Sequence, residues 1–273
     1  MRQRVEREST LDMASLTSVD PQDVELHRAF RSDGYVILRG VVPKEALEVL
    51  HANILAAFEQ AKANGSLFNG GGLISGHLNC FPGAESRFVF ETLQARGVIE
   101  LTRALMPQAV RLPNVGCNLN LPGSSEQNRH IDGYAATAFA ILNIAAVDTT
   151  LANGAMEVLP RTHRRTYKYW ELVMERPVPA RPSLERGDVM IRTSALWHRG
   201  MPNPSSRPRP MLALTWEDGG SELADPYSIH AGKISFFPNR YKPTGLGRLR
   251  ERAFVAVPGV NSAFRFVRSF FDP

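Results

Sequence analysis

The sequence predicts a mainly β fold with flanking helices, an antiparallel sandwich or barrel entered near residue 107. Three observations carry that expectation. Apolar or alternating segments near 109–121, 135–147, 155–160, 187–193 and 209–217 are short and bounded by Gly, Pro, Asn or Asp, as evenly spaced antiparallel strands are. Ahead of residue 107, apolar residues recur at helical spacing instead. The 273 residues, 43% hydrophobic and 22% charged, are ordinary for a globular protein and enough to bury a core without metal or disulfide.

Residues 1–18 are polar and aperiodic and are expected as a frayed tail, with 19–273 forming a single domain. Asp20-Pro21 reads as an N-cap with proline at N1, opening a helix through about Ser32. Asp33-Gly34 is a turn, and Tyr35-Val36-Ile37-Leu38 a short strand. Pro43 starts a second helix, in which Leu47, Leu50, Ile54 and Phe58 repeat at helical spacing down to Asn64-Gly65. Residues 66–83 (SLFNGGGLISGHLNCFPG) are expected as a long mobile lid loop, hinged at Gly70, Gly71 and Gly72. A helical stretch from about Ala84 to Met106 precedes the β core (about 107–217), and 218–273 is an extension whose role the pattern does not assign.

Composition narrows the function. Cys80 and Cys117 make neither a disulfide framework nor a zinc knuckle, so a reducing cytoplasm is expected. No stretch approaches 18 uninterrupted apolar residues, and MRQRVEREST has no apolar run of a signal peptide behind it, so no membrane partner is expected. The formal charge of +5 comes from scattered arginines, without an aromatic-basic stripe. That favours a small-molecule substrate, attractive if anionic, over nucleic acid. Oligomeric state is not legible.

The chemistry begins at Asn128-Arg129-His130-Ile131-Asp132-Gly133. In an extended segment, His130 and Asp132 point to one face and can grip one metal ion. His198, in Leu196-Trp197-His198-Arg199-Gly200, follows the strand-like 187–191 and supplies a third ligand. Two histidines and one carboxylate with half the coordination sphere open form the facial site of non-haem Fe(II) oxygenases. Arg209 opens the next strand, eleven positions after His198. A guanidinium inside a small barrel needs a carboxylate, such as the far end of a dicarboxylic keto acid. A surface arginine in the turn RPRP is the alternative for Arg209 and the expectation for Arg207.

The chain here resembles the phytanoyl-CoA dioxygenase family of Fe(II)/2-oxoglutarate oxygenases, over roughly residues 27–217. The resemblance runs in order through Phe30-Arg31-Ser32-Asp33-Gly34-Tyr35-Val36-Ile37, His130/Asp132, the block from Asn153-Gly154 to Leu159-Pro160-Arg161-Thr162-His163, Gly187-Asp188-Val189, and His198…Arg209. It implies a double-stranded β-helix (a jelly roll, cupin-like) with iron in its mouth. His130, Asp132 and His198 would be the iron ligands and Arg209 the 2-oxoglutarate anchor; His163 would be structural. Two departures stand out: Gly200 where the family often has a serine that helps the arginine, and Arg161 where a turn glycine is usual. Asn118, Asn120 and Asn143, on strands whose polar face needs partners, are candidate cosubstrate contacts.

The implied cofactors are Fe(II), 2-oxoglutarate as cosubstrate, and O2, with hydroxylation of substrate and release of succinate and CO2. Asp132 favours hydroxylation or desaturation over halogenation, because related halogenases replace this carboxylate to admit chloride. A zinc hydrolase using the same ligands and a non-catalytic small-molecule-binding barrel are the rivals. Substrate contacts are expected from Phe68, His77, Asn79, Tyr134, Trp197 and Arg199, a set that suits a polar, anionic or sugar-like metabolite.

Overall fold

The computed structural model describes residues 10–12, 18–67, 75–236, 245–257 and 259–271. Its frame is an eight-stranded sheet in the order β1-β2-β7-β5-β9-β4-β3-β10, with all neighbours antiparallel except β1 and β2. These strands are β1 (Thr10–Asp12), β2 (Tyr35–Arg39), β3 (His77–Phe81), β4 (Asn114–Asn120), β5 (Ala140–Ala145), β7 (Val189–Thr193), β9 (Arg209–Thr215) and β10 (Ser235–Phe236). A smaller sheet pairs β6 (Glu157–Val158) with β8 (His198–Arg199) and is widened by the bridges His130↔His198 and Val158↔Ala180. This is the predicted jelly-roll-type antiparallel fold, with a sheet that does not close on itself.

Side-chain alternation divides the large sheet into two faces. Val36, Leu38, Cys117, Leu119, Leu142, Ile144, Val189, Ile191, Leu212 and Leu214 belong to the main apolar core. So do buried residues of α1 (Val24–Asp33), α2 (Lys44–Ala63), α3 (Arg87–Ala95) and α4 (Val98–Leu105). Leu47, Leu50, Ile54 and Phe58 are all buried, as their spacing in α2 predicts. Each such side chain contributes about 1.5–3 kcal/mol through burial. The opposite face carries a small cluster (Ile37, Ala145, Met190 and Met211, with Leu184) and the polar residues Asn120, Asn143, Arg192 and Arg209. The helices thus seal one face, and the other is left for chemistry.

Several expectations are corrected. Thr10–Asp12, expected in a frayed tail, adds a parallel strand beside β2. The first helix starts at Val24 behind Asp23, whose carboxylate accepts from the amides of Glu25 and Leu26; Asp20 caps only the preceding turn, through Gln22. The 66–83 segment is not loop throughout: 77–81 is β3, because His77–Cys80 pair with Cys117–Asn120 across a long separation that no local pattern announces. The proposed hinge glycines lie outside the described residues. The 84–106 helix breaks at Gly97, which takes φ 73° and approaches Val19 O so closely that a Cβ would sit 2.7 Å from it. The extension contains α6 (Gly245–Ala256) and α7 (Val260–Arg268), and α5 (Tyr169–Glu175) lies ahead of β7.

Candidate metal centre

His130 and His198 are joined directly through the backbone: His130 N donates to His198 O at 2.9 Å and His198 N to His130 O at 3.0 Å. Their rings lie 4.3 Å apart. Asp132 follows not on a strand, as expected, but in a bend that returns its side chain to the histidines. The amides of Asp132 and Gly133 both donate to Ser194 O, and a Cβ at Gly133 would meet Ser194 Oγ at 2.7 Å and Phe139 at 2.9 Å. Glycine at that position lets the bend close.

The donor atoms converge. Asp132 Oδ2 is 3.4 Å from His198 Nε2, Asp132 Oδ1 is 3.8 Å from His130 Nε2, and all three ligating atoms lie within 4.8 Å of one another. His130 Nδ1 lies 2.7 Å from Asn128 O and His198 Nδ1 2.9 Å from Leu196 O, so each Nδ1 donates its proton to a carbonyl and each Nε2 keeps a free lone pair. Burial, with Arg192 and His130 adding to it, pushes the His198 pKa far down, so its imidazole is neutral. Burial would raise Asp132, but the Arg192 guanidinium 2.8 Å away overcomes it and holds the carboxyl well below its usual range. Two imidazole Nε2 atoms and an ionised carboxylate are the donor set that suits an Fe(II) ion, and the residues present fit it.

Arg192 was not foreseen. Its Nη2 donates to Asp132 Oδ2 at 2.8 Å, and its Nε to Asn143 Oδ1 at 2.9 Å. Nη1 is buried without a partner. Its sequence signal was an arginine inside the apolar run Val189–Thr193, a position that demands an acidic partner.

A second polar row crosses the inner face. Register places His77 opposite Asn120 and Asn120 opposite Arg209. Arg209 is 4% exposed; its Nε donates to Asn153 O at 3.2 Å, and no carboxylate pairs with it among the described residues. Burial lowers its pKa to about 10. Asn120 Nδ2 donates to Met201 O, while its Oδ1 is buried without a partner, as is His77 Nδ1. A Cβ at Gly154 would sit 2.8 Å from Asn120 Nδ2, so the Asn153-Gly154 pair supports both residues. A buried cation with no carboxylate of its own among the described residues fits a bound carboxylate, whereas Asn120 Oδ1 and, with Nε2 donating, His77 Nδ1 are acceptors that call for a donor such as water.

The phytanoyl-CoA dioxygenase (PhyH) profile matches residues 30–211. The chain belongs to the phytanoyl-CoA dioxygenase family. It is accordingly a 2-oxoglutarate-dependent non-haem iron oxygenase. Its fold is shared with the non-haem α-ketoglutarate-dependent carbocyclase SnoK of nogalamycin biosynthesis (TM-score 0.55, 14% identity, 72% of this chain and 86% of that one). It is also similar to AviO1 from Streptomyces viridochromogenes Tue57 (TM-score 0.56, 17% identity, 76% and 100%) and to EctD from S. alaskensis with bound Fe (TM-score 0.54, 18% identity, 71% and 76%).

The departures from the family pattern have local accommodations. Arg161 adopts φ 74°, so the turn keeps the left-handed geometry a glycine would take. His163 is away from the metal centre, packed on Gly34, where a Cβ would lie 2.6 Å from its Nδ1. A Cβ at Gly200 would lie 2.7 Å from both His77 Cε1 and Gln127 Oε1, so those side chains occupy the space of the missing serine.

The expected substrate contacts scatter. His77 is buried in the row with Asn120, its Nε2 donating to Ser125 O at 2.8 Å. Asn79 is exposed and accepts from Asn118, which is only partly buried. Tyr134 is 64% exposed. Arg199 is clamped between Glu157 and Glu126, both at 2.8 Å. Trp197 is not at the mouth: one residue ahead of β8, it is buried with Leu159 and Leu172, while His198 joins the metal centre. Phe68 lies outside the described residues. Among the described residues no helix is long and apolar enough to cross a membrane.

Proposed function

We propose that this oxygenase hydroxylates a small polar metabolite, with His130, Asp132 and His198 holding Fe(II) and Arg209 and Asn120 holding the distal carboxylate of 2-oxoglutarate. The observation that carries the reading is the pairing of a convergent His-Asp-His donor set with a buried arginine that has no carboxylate of its own among the described residues. A zinc hydrolase has no use for that arginine.

Bound to this chain, iron and 2-oxoglutarate supply an oxidising equivalent from O2 that converts a substrate C–H to C–OH while the cosubstrate leaves as succinate and CO2. The protein's own part is positioning. Asn128 O and Leu196 O fix the histidine tautomers. Arg192, oriented by Asn143, keeps Asp132 ionised and in place. Met190, Met211 and Ala145 make the surrounding inner face apolar and exclude water. Asp132 occupies the position that halogenation would leave open, which supports hydroxylation.

The test is anaerobic Fe(II) titration followed by succinate measurement in air. Wild type should form succinate only with Fe(II), 2-oxoglutarate and O2 together, and His198→Ala should lose iron binding and succinate formation while keeping its circular dichroism spectrum. Full iron binding and turnover by His198→Ala would refute the ligand assignment.

A further inference from the structure

A cavity of about 760 Å³ opens beside His130. Gln127, Asn128 and His130 line one wall, and Phe254, Asn261 and Arg265 of the C-terminal helices line the other. The extension is latched in place. Trp170 of α5 stacks on Phe270 with ring centroids 5.3 Å apart, and its amide donates to Ser269 Oγ at 3.0 Å. Arg265 lies over the Tyr169 ring at 4.3 Å and donates to Arg129 O. Tyr169 in turn contacts Trp197, the neighbour of His198.

The charges around this cavity do not balance. Glu157 is shared by Arg129 and Arg199, each at 2.8 Å, and Arg199 also holds Glu126 at 2.8 Å. Two carboxylates therefore serve Arg129 and Arg199. Arg265, half-buried at the same wall, has no carboxylate partner among the described residues. Its contacts, a carbonyl and an aromatic face, hold the guanidinium without neutralising it. The rest of the lining offers amides (Gln127, Asn128, Asn261), serine hydroxyls, Phe254 as an apolar surface, and Glu126, whose carboxylate is held by Arg199.

We infer that the C-terminal helices form the substrate wall of the metal centre, and that Arg265 selects substrates carrying one anionic group, a carboxylate or a phosphate, on a hydroxyl-bearing body. The inference rests on the oxygenase reading for the identity of the centre, but the cavity and its charge are independent of it. The volume accommodates a ligand of drug-like size or smaller, held at its anionic end by Arg265 with the body toward His130.

The test is equilibrium dialysis of the Fe(II)-loaded protein, anaerobic and saturated with 2-oxoglutarate so that Arg209 is occupied. The probes are 3-phenyllactate against its neutral amide, and glucose 6-phosphate against glucose. At least one anionic probe should bind about tenfold tighter than its neutral partner, the scale of one charge-assisted contact. The arm that shows the preference tells a carboxylate site from a phosphate site. Arg265→Gln should abolish the preference and Arg265→Lys retain part of it. Should Arg265→Gln misfold, Ser262→Asp, which places an opposing charge on an exposed residue of the same lining, should also remove it. Equal binding of charged and neutral probes, no binding of any probe, or a preference that survives both Arg265→Gln and Ser262→Asp would overturn the inference. Failure of the oxygenase reading would instead show as absent succinate formation by wild type, whatever the dialysis gives.

Discussion

Arg192 and Asp132, sixty residues apart in the chain, meet at 2.8 Å, and through that contact a β7 side chain orients a carboxylate of the candidate metal centre. Asn143 accepts from Arg192 in turn, so the carboxylate stands at the end of a three-residue chain.

Arg192→Gln should therefore weaken iron rather than abolish it. Loss of such a supporting contact costs about 10–100-fold in metal affinity. Competition with a chromophoric chelator measures it. Unchanged Fe(II) affinity would mean that Asp132 needs no such support.

Arg209→Lys keeps the charge but loses the planar fork, and should raise the 2-oxoglutarate KM about tenfold. Arg207 is exposed, and Arg207→Lys should leave KM unchanged. Equal effects at the two positions would break the assignment, and succinate formation at varied 2-oxoglutarate decides it.

Gly200→Ser should cost about 1–3 kcal/mol of stability, because its Cβ meets His77 and Gln127 at 2.7 Å. His77→Ala in the same chain should relieve part of that cost, so the double variant is more stable than the sum of the singles predicts. Urea unfolding of the four proteins measures the coupling, and strict additivity would show that His77 is not what blocks a serine there.

Without metal, stability should fall in mild acid. Burial lowers the pKa of both His77 and His198 below the unfolded value, so the folded state binds fewer protons than the unfolded state. Their stabilisation is complete above about pH 6.5, the unfolded value, and is lost as pH drops below it toward the folded values. Each group changes stability by up to about 1.4 kcal/mol per pH unit in that window. Urea unfolding of metal-free protein at pH 7.5 and 5.5 checks it; equal stabilities would show both imidazoles solvated.

The antiparallel class, the α2 core face and the residue types of the candidate site can be read from the chain before it folds, because their signals are local. Leu47, Leu50, Ile54 and Phe58 share a face through helical period alone. His130 and Asp132 are legible as candidate ligands because they fall within three residues, although the bend at Gly133 that brings them together is not. The other features depend on contacts between distant segments. Arg192 reaches Asp132, and the His77–Asn120–Arg209 row forms, through strand pairings whose register depends on contacts far apart in the chain. Trp197 and His198, adjacent in sequence, separate into core and site because Trp197 packs on Leu159 and Leu172 while His198 enters β8 and pairs with Val158 and His130. The extension reaches the His130 cavity for the same kind of reason: Trp170 of α5 stacks on Phe270, just beyond α7, and bonds Ser269, about a hundred positions along the chain.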